Sequence, residues 1–588
     1  MCGIAGIALR DNATPDPAIL DRLAKALSHR GPDGEGRYLG EGIGLVQVRL
    51  AIIDLEGGRQ PLYEPQGAVL VGNGEIYNYR ELASDLPDVT FKTGSDCEPP
   101  LHLWRRADSS YAQLLRGMYA LAIYDPASRR LTLSRDPFGI KPLYWAETAQ
   151  GVVFASEAQA LIAAGLVEAR ENPKARDELL QLQFTTGAET IFSGIHRLLP
   201  GETLVIEKGL VVQRHRLNAL PAAGILSSTT DQFLYELDQV LAESVSFHQR
   251  SDVPYGMFLS GGIDSSALLA LMARLNERPV LAFTAHFPGS GAKDERGMAA
   301  RVAKEMKAER IDVAFTEDDF WQLAPEVAAA MDDPAADYAC LPTYKLAREA
   351  RKHVKVILSG EGGDELFAGY GRYRQANRPW PFRRSMRRHG TFDNLGVLRE
   401  NPLHWRDGIA ASERQEELQG RTKLQTAQAV DCADWLPNDL LTKLDRCLMA
   451  HGVEGRVPFL DPLVAAFAFK LPDAMKIHKG LGKWAMRLWL DKVLPPSGAF
   501  EKKRGFTVPV GDWIAAKGHL LGPLVASQPA IRALCYPKEV ERLFAHANQQ
   551  GFAAWTLLFY ALWHGRHMLG HRPQGDVFDN LDAMRCST

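Results

Sequence analysis

The sequence predicts two domains of different architecture: an α+β sandwich of two antiparallel sheets flanked by helices, then an α/β domain with a parallel sheet and a helical C-terminal part. The chain of 588 residues is longer than one hydrophobic core usually serves. Short apolar runs alternate with turns between residues 117 and 155, which is typical of antiparallel sheets. Two later apolar runs, 255–259 and 354–358, lead directly into glycine-rich turns, which is typical of a parallel sheet.

The composition excludes several classes of protein. A net charge of -3 argues against a partner bound through nucleic-acid phosphates. The cysteines are odd in number and lack metal-ligand spacing, which indicates reduced thiols in a cytoplasmic protein. No apolar run approaches the ~20 residues that a membrane-spanning helix needs. We therefore expect a cytoplasmic protein with no nucleic-acid and no membrane partner.

The first glycine-rich turn, Ser260-Gly261-Gly262-Ile263-Asp264-Ser265-Ser266, lies between a strand pattern and a helical pattern. A strand, a turn of small residues and a helix direct free backbone N–H groups and a helix N-terminus towards an anion. The loop has no Lys and so differs from the phosphate loop of common ATPases. Asp264 instead suits a metal ion that accompanies pyrophosphate.

A second turn, Ser359-Gly360-Glu361-Gly362-Gly363-Asp364-Glu365, follows the apolar run 354–358 in the same way. The carboxyl ends of parallel strands meet at one edge of a sheet, so both turns would face one crevice. One such turn alone is often only a tight connection, but two are much harder to obtain by chance. The pair predicts a phosphate-binding crevice.

The chain begins with Met1-Cys2-Gly3-Ile4, a strand pattern with a thiol at its start. A lone Cys is usually a small inert apolar residue. Removal of Met1 would place a thiol and an α-amine on one residue, and an amine that titrates near ~7.7–8.0 can accept the thiol proton. Retention of Met1 would make that chemistry impossible. Cys2 is therefore predicted to be an N-terminal nucleophile.

These segments resemble those of a known family. SGGIDSS resembles the pyrophosphate-binding loop of ATP-pyrophosphatases, which split ATP into AMP and pyrophosphate. SGEGGDELFAGY resembles the second nucleotide loop of glutamine-dependent asparagine synthetases, and the N-terminal segment agrees with that family. The resemblance covers nearly the whole chain. It implies an N-terminal-nucleophile hydrolase sandwich, which is a class II glutamine amidotransferase, joined to an ATP-pyrophosphatase synthetase domain.

The resemblance also implies how free glutamine is held. Arg49 would pair with the α-carboxylate, while Glu75 and Asp96 would hold the α-ammonium. The Asn73 amide and the Gly74 N–H would stabilise the oxyanion that forms when the thiolate attacks the side-chain amide. The implied glutamine-binding residues are Arg49, Leu50, Ala51, Ile52, Ile53, Asn73, Gly74, Glu75 and Asp96.

At the second site, Asp264 and Asp364 are the pair predicted to hold Mg²⁺ between ATP phosphates. Lys483 matches the family lysine that stabilises charge on the adenylate, and Glu361 matches the acid beside the activated acyl group. The implied ATP-binding residues are Leu259, Ser260, Gly261, Gly262, Asp264, Ser265, Ala285, Ser359 and Gly360. The predicted catalytic residues are Cys2, Asn73, Gly74, Glu361 and Lys483.

The segment 331–342 is predicted to select the acceptor acid. In the family that the chain resembles, this loop carries an Arg thought to meet the carboxylate of aspartate, whereas Tyr338 stands at the nearest position here. The loop contains Asp332, Asp333 and Asp337 and no basic residue. Three acids tend to repel a dicarboxylate unless one pairs with its ammonium, so the loop weakens aspartate as a substrate without excluding it.

The predicted function is glutamine- and ATP-dependent amidation of a carboxylate through an acyl-AMP, with aspartate as the leading acceptor and asparagine as its product. Glutamine, ATP and the acceptor acid are the expected partners, together with a second copy of the chain in a homodimer. Ammonia loses its nucleophilicity when it is protonated in water, so a sheltered passage between the domains is expected.

Three alternatives remain open. The same reaction on another acid, in a cell-wall precursor, a peptide or a natural product, is favoured by Tyr338. A regulatory or binding protein with an inactive synthetase half is disfavoured by the presence of Asp264, Asp364 and Lys483. A tRNA-modifying ATP-pyrophosphatase would need a basic surface and would leave Cys2 unexplained.

The predicted boundaries are a glutaminase domain at residues 2–207, a linker at 208–229, a synthetase domain at 230–571 and a mobile tail at 572–588. An arginine cluster follows the second turn, and we expect a solvated surface rather than an RNA site because stacking aromatics are not interleaved. Its members are Arg372, Arg374, Arg378, Arg383, Arg384, Arg387 and Arg388.

Overall fold

Two antiparallel sheets form the first part of the chain. A computed structural model describes residues 2–288, 296–376, 378, 385–501 and 508–585. The strands of the first part are β1 (Cys2–Leu9), β2 (Gly34–Gly40), β3 (Ile43–Arg49), β4 (Leu62–Tyr63), β5 (Val69–Ile76), β6 (Gly117–Asp125), β7 (Arg130–Arg135), β8 (Tyr144–Glu147), β9 (Gly151–Ala155), β10 (His196–Arg197), β11 (Glu202–Glu207) and β12 (Leu210–Arg216). They form two six-stranded sheets, β10-β8-β9-β1-β3-β2 and β12-β11-β7-β6-β5-β4. The predicted pair of antiparallel sheets is confirmed.

The two sheets pack face to face through alternate residues of their strands. Successive side chains of a strand point to opposite faces. Ile4 and Ala8 of β1 accordingly join Val71 of β5 in one buried apolar cluster. It follows that Cys2 and Asn73, which lie two residues from Ile4 and Val71, also face the space between the sheets.

Helices cover the outer faces of both sheets. They are α1 (Pro17–Leu27), α2 (Tyr79–Ser84), α3 (Glu98–Ala107), α4 (Ala158–Ala163) and α5 (Pro173–Leu182). Leu23 of α1 shares a buried cluster with Ile7, whose side chain leaves β1 on the face opposite Ile4. Leu101 of α3 shares another with Leu121 of β6. The first part therefore has the predicted helix-flanked sandwich.

A five-stranded parallel sheet organises the second part. Its strands are β13 (Tyr255–Phe258), β14 (Leu281–His286), β15 (Glu309–Ala314), β16 (Val356–Leu358) and β17 (Glu454–Arg456), in the order β15-β14-β13-β16-β17. In the sheet, β14 lies next to β13 on one side, whereas β16 lies next to β13 on the other side. Ligands bind outside the carboxyl ends of strands at such a switch point, and both predicted glycine-rich loops lie there.

Helices surround this sheet and form the C-terminal part. They are α6 (Thr230–His248), α7 (Ile263–Leu275), α8 (Arg296–Glu305), α9 (Glu317–Ala330), α10 (Cys340–Ala350), α11 (Gly363–Leu366), α12 (Gly371–Ala376), α13 (Asp407–Glu416), α14 (Lys423–Val430), α15 (Thr442–Met449), α16 (Pro462–Lys470), α17 (Asp473–Lys476), α18 (Trp484–Val493), α19 (Val510–Ala516), α20 (Gly518–Ser527), α21 (Pro529–Leu534), α22 (Pro537–Ala545), α23 (Gly551–His567) and α24 (Val577–Arg585). A π-helical segment, Asp431–Leu441, joins α14 to α15. A hairpin of β18 (Ile477–His478) and β19 (Leu481–Gly482) precedes α18. Within the described part of the chain, no helix is both long enough and apolar enough to span a bilayer.

Two stretches differ from the predicted linker and tail. Residues 210–216 of the predicted linker form β12, which pairs antiparallel with β11 and so completes the second sheet. In the predicted mobile tail, Val577, Leu581 and Met584 are buried on one face of α24. Their spacing of four and three residues is a helical pattern that the polar residues before it obscure. Residues 586–588 lie outside the described residues.

Buried ion pairs connect the two parts of the chain. Arg30 of the first part is fully buried and donates to the two carboxylate oxygens of Asp445 at 2.8 and 3.0 Å. Arg197 donates to Asp333 at 2.6 Å, and the Tyr144 hydroxyl donates to the same carboxylate at 2.9 Å. Breaking such a pair strands a buried charge and destabilises a protein by about 3–5 kcal/mol. The two parts therefore behave as one structural unit.

Candidate active site

Cys2 and Asn73 meet between the two sheets. The Cys2 backbone N–H donates to Oδ1 of Asn73 at 3.1 Å, and both residues are buried. Among the described residues, the buried Nδ2 of Asn73 has no hydrogen-bond partner. Burial raises the pKa of the Cys2 thiol, while a hydrogen bond from the Leu50 backbone and the charge of Arg49 oppose the rise. An unpaired donor beside a thiol suits an oxyanion that forms there.

Arg49 and Gly74 flank this pair. The strand register sets Arg49 of β3 directly opposite Cys2 of β1. The Arg49 guanidinium donates to the carbonyl oxygen of Asp54 at 2.6 Å, which fixes its position. A Cβ at Gly74 would lie 2.1 Å from a carbonyl oxygen of β6, so only glycine permits β5 and β6 to pair there. The roles of these residues towards glutamine remain predictions.

The segment after β3 is anchored by the second part of the chain. Leu50, Ala51 and Ile52 are buried there, and Ile53 is half-buried. The Ala51 N–H donates to Oδ2 of Asp33 at 2.9 Å, and Lys355 of the second part donates to the same oxygen at 2.7 Å. The segment 50–53, which is predicted to bind glutamine, is therefore held in place partly by a residue of the second part of the chain.

Glu75 and Asp96 are buried acids at the end of β5. Oδ2 of Asp96 accepts the Ile76 N–H at 2.7 Å, and burial raises the pKa of Asp96 to about 6. Burial together with Glu454 raises the pKa of Glu75 well above its usual value, although Arg456 at 3.3 Å opposes the rise. Two buried acids of this kind are suited to an arriving ammonium group, which would favour their charged forms.

The loop after β13 closes on itself through its hydroxyl groups. The Oγ atoms of Ser260 and Ser265 lie 3.1 Å apart, and the Gly262 N–H donates to Oγ of Ser260 at 3.2 Å. Gly261 has φ +75°, and a Cβ there would lie 2.8 Å from the backbone nitrogen of Ala299. Gly262 caps α7, so the helix N-terminus faces this loop.

The other predicted nucleotide contacts lie at the same edge of the sheet. The Leu259 N–H donates to the carbonyl oxygen of Phe283 at 2.9 Å, which ties the end of β13 to β14. Ala285 lies two residues after Phe283 in β14 and is half-buried. A Cβ at Gly360 would lie 3.0 Å from Cβ of Asp264, so the two glycine-rich loops touch.

Lys483 joins the two loops. Its Nζ donates to Oδ2 of Asp264 and lies 2.7 Å from Oδ1 of Asp364. Burial alone would lower the pKa of Lys483, but the two carboxylates raise it above its usual value. A Cβ at Gly369 would lie 1.8 Å from Oδ1 of Asp364 and 2.4 Å from Cε of Lys483. Gly369 is therefore required for this contact, although only its place in the quoted motif marks it in the sequence.

A second buried lysine lies beside Glu361. Nζ of Lys443 is 2.8 Å from Oδ2 of Asp337 and 4.0 Å from Oε1 of Glu361. Burial would lower the pKa of Lys443, but Asp337 and Glu361 raise it well above its usual value. Burial raises the pKa of Glu361, and Lys443 opposes the rise. No local pattern singles out Lys443, because its partners come from distant segments.

The acids of the acceptor loop are already ion-paired, which overturns the expectation that they repel a dicarboxylate. Asp332 and Asp333 are buried. Asp332 accepts from Nε of Arg446 at 2.7 Å, and Asp333 accepts from Arg197. Asp337 pairs with the buried lysine described above. The loop therefore presents no unopposed cluster of negative charge.

Arg456 contacts both sites. It ends β17, and its carbonyl oxygen accepts the Ser359 N–H of the second loop at 2.8 Å. Its guanidinium donates to Glu454 at 2.6 Å and lies 3.3 Å from Glu75. A residue at the carboxyl end of a parallel strand faces the ligand crevice, and that position is the signal by which the sequence could have identified it.

Comparison with known proteins decides the family. The asparagine synthase model matches residues 236–565, and the glutamine amidotransferase domain model matches residues 1–216. The chain belongs to the asparagine synthase family. This family membership makes it an enzyme of the ligase class that uses glutamine as its nitrogen donor and ATP as a substrate.

Relatives in the asparagine synthase family match over nearly their whole length. A Mycobacterium tuberculosis protein named "Putative asparagine synthetase (glutamine-hydrolyzing)" is 35% identical, covering 96% of this chain and 97% of its own. Glutamine-hydrolysing asparagine synthetase 1 of Bacillus subtilis is 30% identical over 98% of this chain and 100% of its own. Asparagine synthetase B of Escherichia coli is 28% identical over 90% and 86%.

Proposed function

We propose that the protein converts L-aspartate, L-glutamine, ATP and water to L-asparagine, L-glutamate, AMP and diphosphate. The observation that carries this proposal is the position of Lys483, which pairs with Asp264 and Asp364 at the switch point of the parallel sheet. A buried cation between two loops that end in helix N-termini is suited to the charge that develops when a carboxylate attacks ATP.

In the first half-reaction, Cys2 would attack the side-chain amide of glutamine. The proposal requires removal of Met1, which lies outside the described residues, so that the α-amine of Cys2 can take the thiol proton. Nδ2 of Asn73 and the Gly74 N–H would stabilise the oxyanion. Arg49 would hold the α-carboxylate of glutamine. Glutamate and ammonia would be the products.

In the second half-reaction, the acceptor carboxylate would attack the α-phosphorus of ATP and release pyrophosphate. Ser260 and the backbone N–H groups of the first loop would hold the pyrophosphate, while Lys483 would stabilise the adenylate. Ammonia would then attack the acyl carbon and release AMP. Glu361 has a raised pKa and is suited to accept the proton that the attacking ammonia must lose.

Mg²⁺ fits the two loops. Among the described residues, no group of three or more His, Cys, Asp and Glu side chains forms a ready metal cage. Mg²⁺ is commonly bound by one or two carboxylates together with substrate phosphates. Asp264 and Asp364 supply such a pair of carboxylates and already share one cationic partner, Lys483. They would hold the ion, which would screen the charge of the pyrophosphate.

Aspartate is supported as the acceptor by the charges around the acceptor loop. Lys443 is a buried cation 4.0 Å from Glu361. Its charge offsets that of Asp337, the one acid of the loop that pairs with a lysine rather than an arginine. The paired state of Asp332 and Asp333 removes the repulsion that argued against a dicarboxylate.

A sheltered passage would carry ammonia between the sites. Some buried polar atoms on the side of the glutaminase site that meets the second part of the chain have no hydrogen-bond partner among the described residues. They include Nδ2 of Asn73, the hydroxyl of Tyr77 and Nη2 of Arg456. Arg456 contacts both Glu75 and the Ser359 backbone, which supports a passage that would run past this residue. Glutamine labelled with ¹⁵N in unlabelled ammonium should give fully labelled asparagine; dilution by the external pool would refute the passage.

The decisive test of the function is an acid screen. AMP formation with glutamine and ATP should be fastest with aspartate, and aspartate should support exchange of labelled pyrophosphate into ATP. Faster AMP formation with another acid would assign the same reaction to that acid, which Tyr338 favours. Absence of exchange with every acid would indicate an inactive synthetase half. The cytoplasmic location and the homodimer remain predictions.

A further inference from the structure

Asp54 is hydrogen-bonded to both ends of the predicted glutamine site, although it is not among the residues expected to touch glutamine. Its carbonyl oxygen accepts from Nη2 of Arg49 at 2.6 Å. Its carboxylate Oδ2 accepts the Gly94 N–H at 2.7 Å, and Gly94 lies two residues before Asp96. Arg49 is the predicted partner of the α-carboxylate of glutamine, and Asp96 is a predicted partner of its α-ammonium. The backbone of Asp54 therefore contacts one end of the site, and its side chain contacts the other.

The backbone of Asp54 holds Arg49 without help from the side chain. Asp54 has φ +50°, a left-handed conformation that Asp adopts more readily than most residues. Its N–H donates to Oδ2 of Asp252 at 2.8 Å, and its carbonyl oxygen also accepts the Gly58 N–H at 2.9 Å. The turn presents a second carbonyl oxygen, that of Leu55, to Nη1 of Arg49 at 2.9 Å. Arg49 is thus oriented by carbonyl oxygens that depend on the left-handed turn.

The carboxylate of Asp54 joins two segments that are remote in sequence. Oδ1 accepts the Gly57 N–H at 3.0 Å, while Oδ2 accepts the Gly94 N–H. A Cβ at Gly57 would lie 2.7 Å from Oδ2, and one at Gly94 would lie 3.5 Å from the same oxygen. Hydrogen bonds to a carboxylate are stronger than those between neutral groups. The side chain therefore ties the turn after β3 to the loop 92–98.

The loop 92–98 is held elsewhere by Glu98. Oε1 of Glu98 accepts the Lys92 N–H at 2.7 Å, and Oε2 accepts the Thr93 N–H at 2.7 Å. Glu98 is buried, whereas Gly94 is exposed. Asp54 thus holds the exposed stretch between the start of this loop and Asp96.

We propose that Asp54 is a positioning residue that sets the separation between the groups that recognise the α-carboxylate and the α-ammonium of glutamine. This inference rests on the proposed function. Both groups belong to one carbon atom of glutamine, so their partners in the protein must be held at a matching separation. The side chain of Asp54 acts on the ammonium end, and its backbone acts on the carboxylate end.

The test separates the side chain of Asp54 from its backbone. Asp54→Gly removes both side-chain hydrogen bonds but keeps the left-handed turn, since glycine adopts positive φ freely. In the full-length protein it should raise KM for glutamine about tenfold and leave kcat within about twofold, because a hydrogen bond to a charged group is lost in binding. Release of ammonia from glutamine measures both constants.

Two amides identify the end of the site that is affected. Glutaramate is glutamine without its α-amine, and γ-aminobutyramide is glutamine without its α-carboxylate. In Asp54→Gly, the preference for glutamine over glutaramate should shrink about tenfold, because glutaramate does not use the ammonium end. The preference over γ-aminobutyramide should stay within about threefold of the wild type, since both of these amides carry the amine. Where turnover of an analogue is too slow, its inhibition of glutamine hydrolysis gives the same comparison.

Three further variants separate positioning from structural damage. Glu56→Gly changes an exposed residue of the same turn and should keep the wild-type constants. Asp54→Asn keeps one acceptor oxygen and the left-handed preference, so its KM should lie between those of the wild type and Asp54→Gly. Asp54→Ala disfavours positive φ and should reduce the preference over both analogues. AMP formation with added ammonium should be unchanged in all of them.

The outcomes distinguish this inference from the proposed function. If the wild-type protein releases no ammonia from glutamine, both fall. If it does, and Asp54→Gly keeps its KM and its full preference over glutaramate, the role of Asp54 is refuted while the proposed function stands. An equal loss of preference over both analogues in Asp54→Gly, or a loss of kcat alone, also refutes the role assigned to the side chain.

Discussion

The glutaminase site and the synthetase site differ in how their charges are balanced before a ligand binds. In the glutaminase site, Nδ2 of Asn73 lacks a partner among the described residues, and burial raises the pKa values of Glu75 and Asp96. In the synthetase site, Lys483 already pairs with Asp264 and Asp364. The first site is therefore prepared to receive charged groups, whereas the second must exchange internal ion pairs for contacts with the nucleotide.

The largest expected effect comes from removing the thiol of the first site. Cys2→Ala should lower glutamine-dependent AMP formation by at least about 10⁴-fold, because no other group there can form the covalent intermediate. The rate with added ammonium should stay within about threefold. Cys535→Ala, which changes a buried cysteine of the C-terminal part, should preserve both rates. A glutamine-dependent rate that survives Cys2→Ala would contradict the proposed nucleophile.

The next largest effect is expected from replacing Arg456, the residue that contacts both sites. Arg456→Met leaves Glu454 and Glu75 buried without their guanidinium. The free energy of unfolding should fall by about 3–5 kcal/mol, as expected when one partner of a buried pair is removed. Urea denaturation followed by tryptophan fluorescence measures this loss. The exposed Arg542→Met is the matched control, and a loss below about 1 kcal/mol would show that the buried pairs of Arg456 contribute little to stability.

The internal ion pair of the second site can be broken selectively. Lys483→Met should slow pyrophosphate exchange by about 10²–10³-fold, since it removes a preorganised charge from the adenylation site. Glutaminase activity should not change. Lys479→Met alters a nearby exposed lysine and should have little effect on either activity. In Lys483→Met, Mg²⁺ alone should raise the melting temperature more than in the wild type, because two carboxylates lose their cation. An equal shift would argue against Asp264 and Asp364 as metal ligands.

The smallest effect concerns a buried acid of the first site. Burial raises the pKa of Asp96 from 3.8 to about 6, so between these values the folded state holds a proton that the unfolded state has lost. This stabilising contribution is complete below about pH 4 and is lost as the pH rises through about 6. Asp96→Asn should match the wild type near pH 4 and be more stable by about 2–3 kcal/mol at pH 7. The exposed Asp85→Asn is the control, and a stability gain that does not depend on pH would contradict the assignment.

The sequence identifies residues whose neighbours are close in the chain. The two Ser-Gly loops follow strand patterns directly, and strand alternation alone brings Cys2 and Asn73 to one side of their sheets. By contrast, Lys443 takes its partners Asp337 and Glu361 from segments that are remote in sequence, and such pairing leaves no local pattern. The acids of the acceptor loop were misread for this reason, because the arginines that pair with them lie more than 100 residues away.

Helix α24 and strand β12 illustrate a second limit. Both are short, and polar or turn-forming residues surround their apolar positions. The amino-acid composition around them therefore predicts a linker where β12 forms and a mobile tail where α24 forms. Their structure depends on packing against elements already in place, such as β11 and the helical C-terminal part. Local propensity is a weak guide in such cases.

The contact of Asp333 with Arg197 and Tyr144 has a consequence for exchanging parts between relatives. The loop expected to choose the acid is anchored by side chains of the opposite half of the chain. A chimaera that received its first 216 residues from another synthetase would need to import the same two anchors. Without Arg197 and Tyr144, the chimaera should keep its glutaminase activity but show an altered specificity for the acceptor acid.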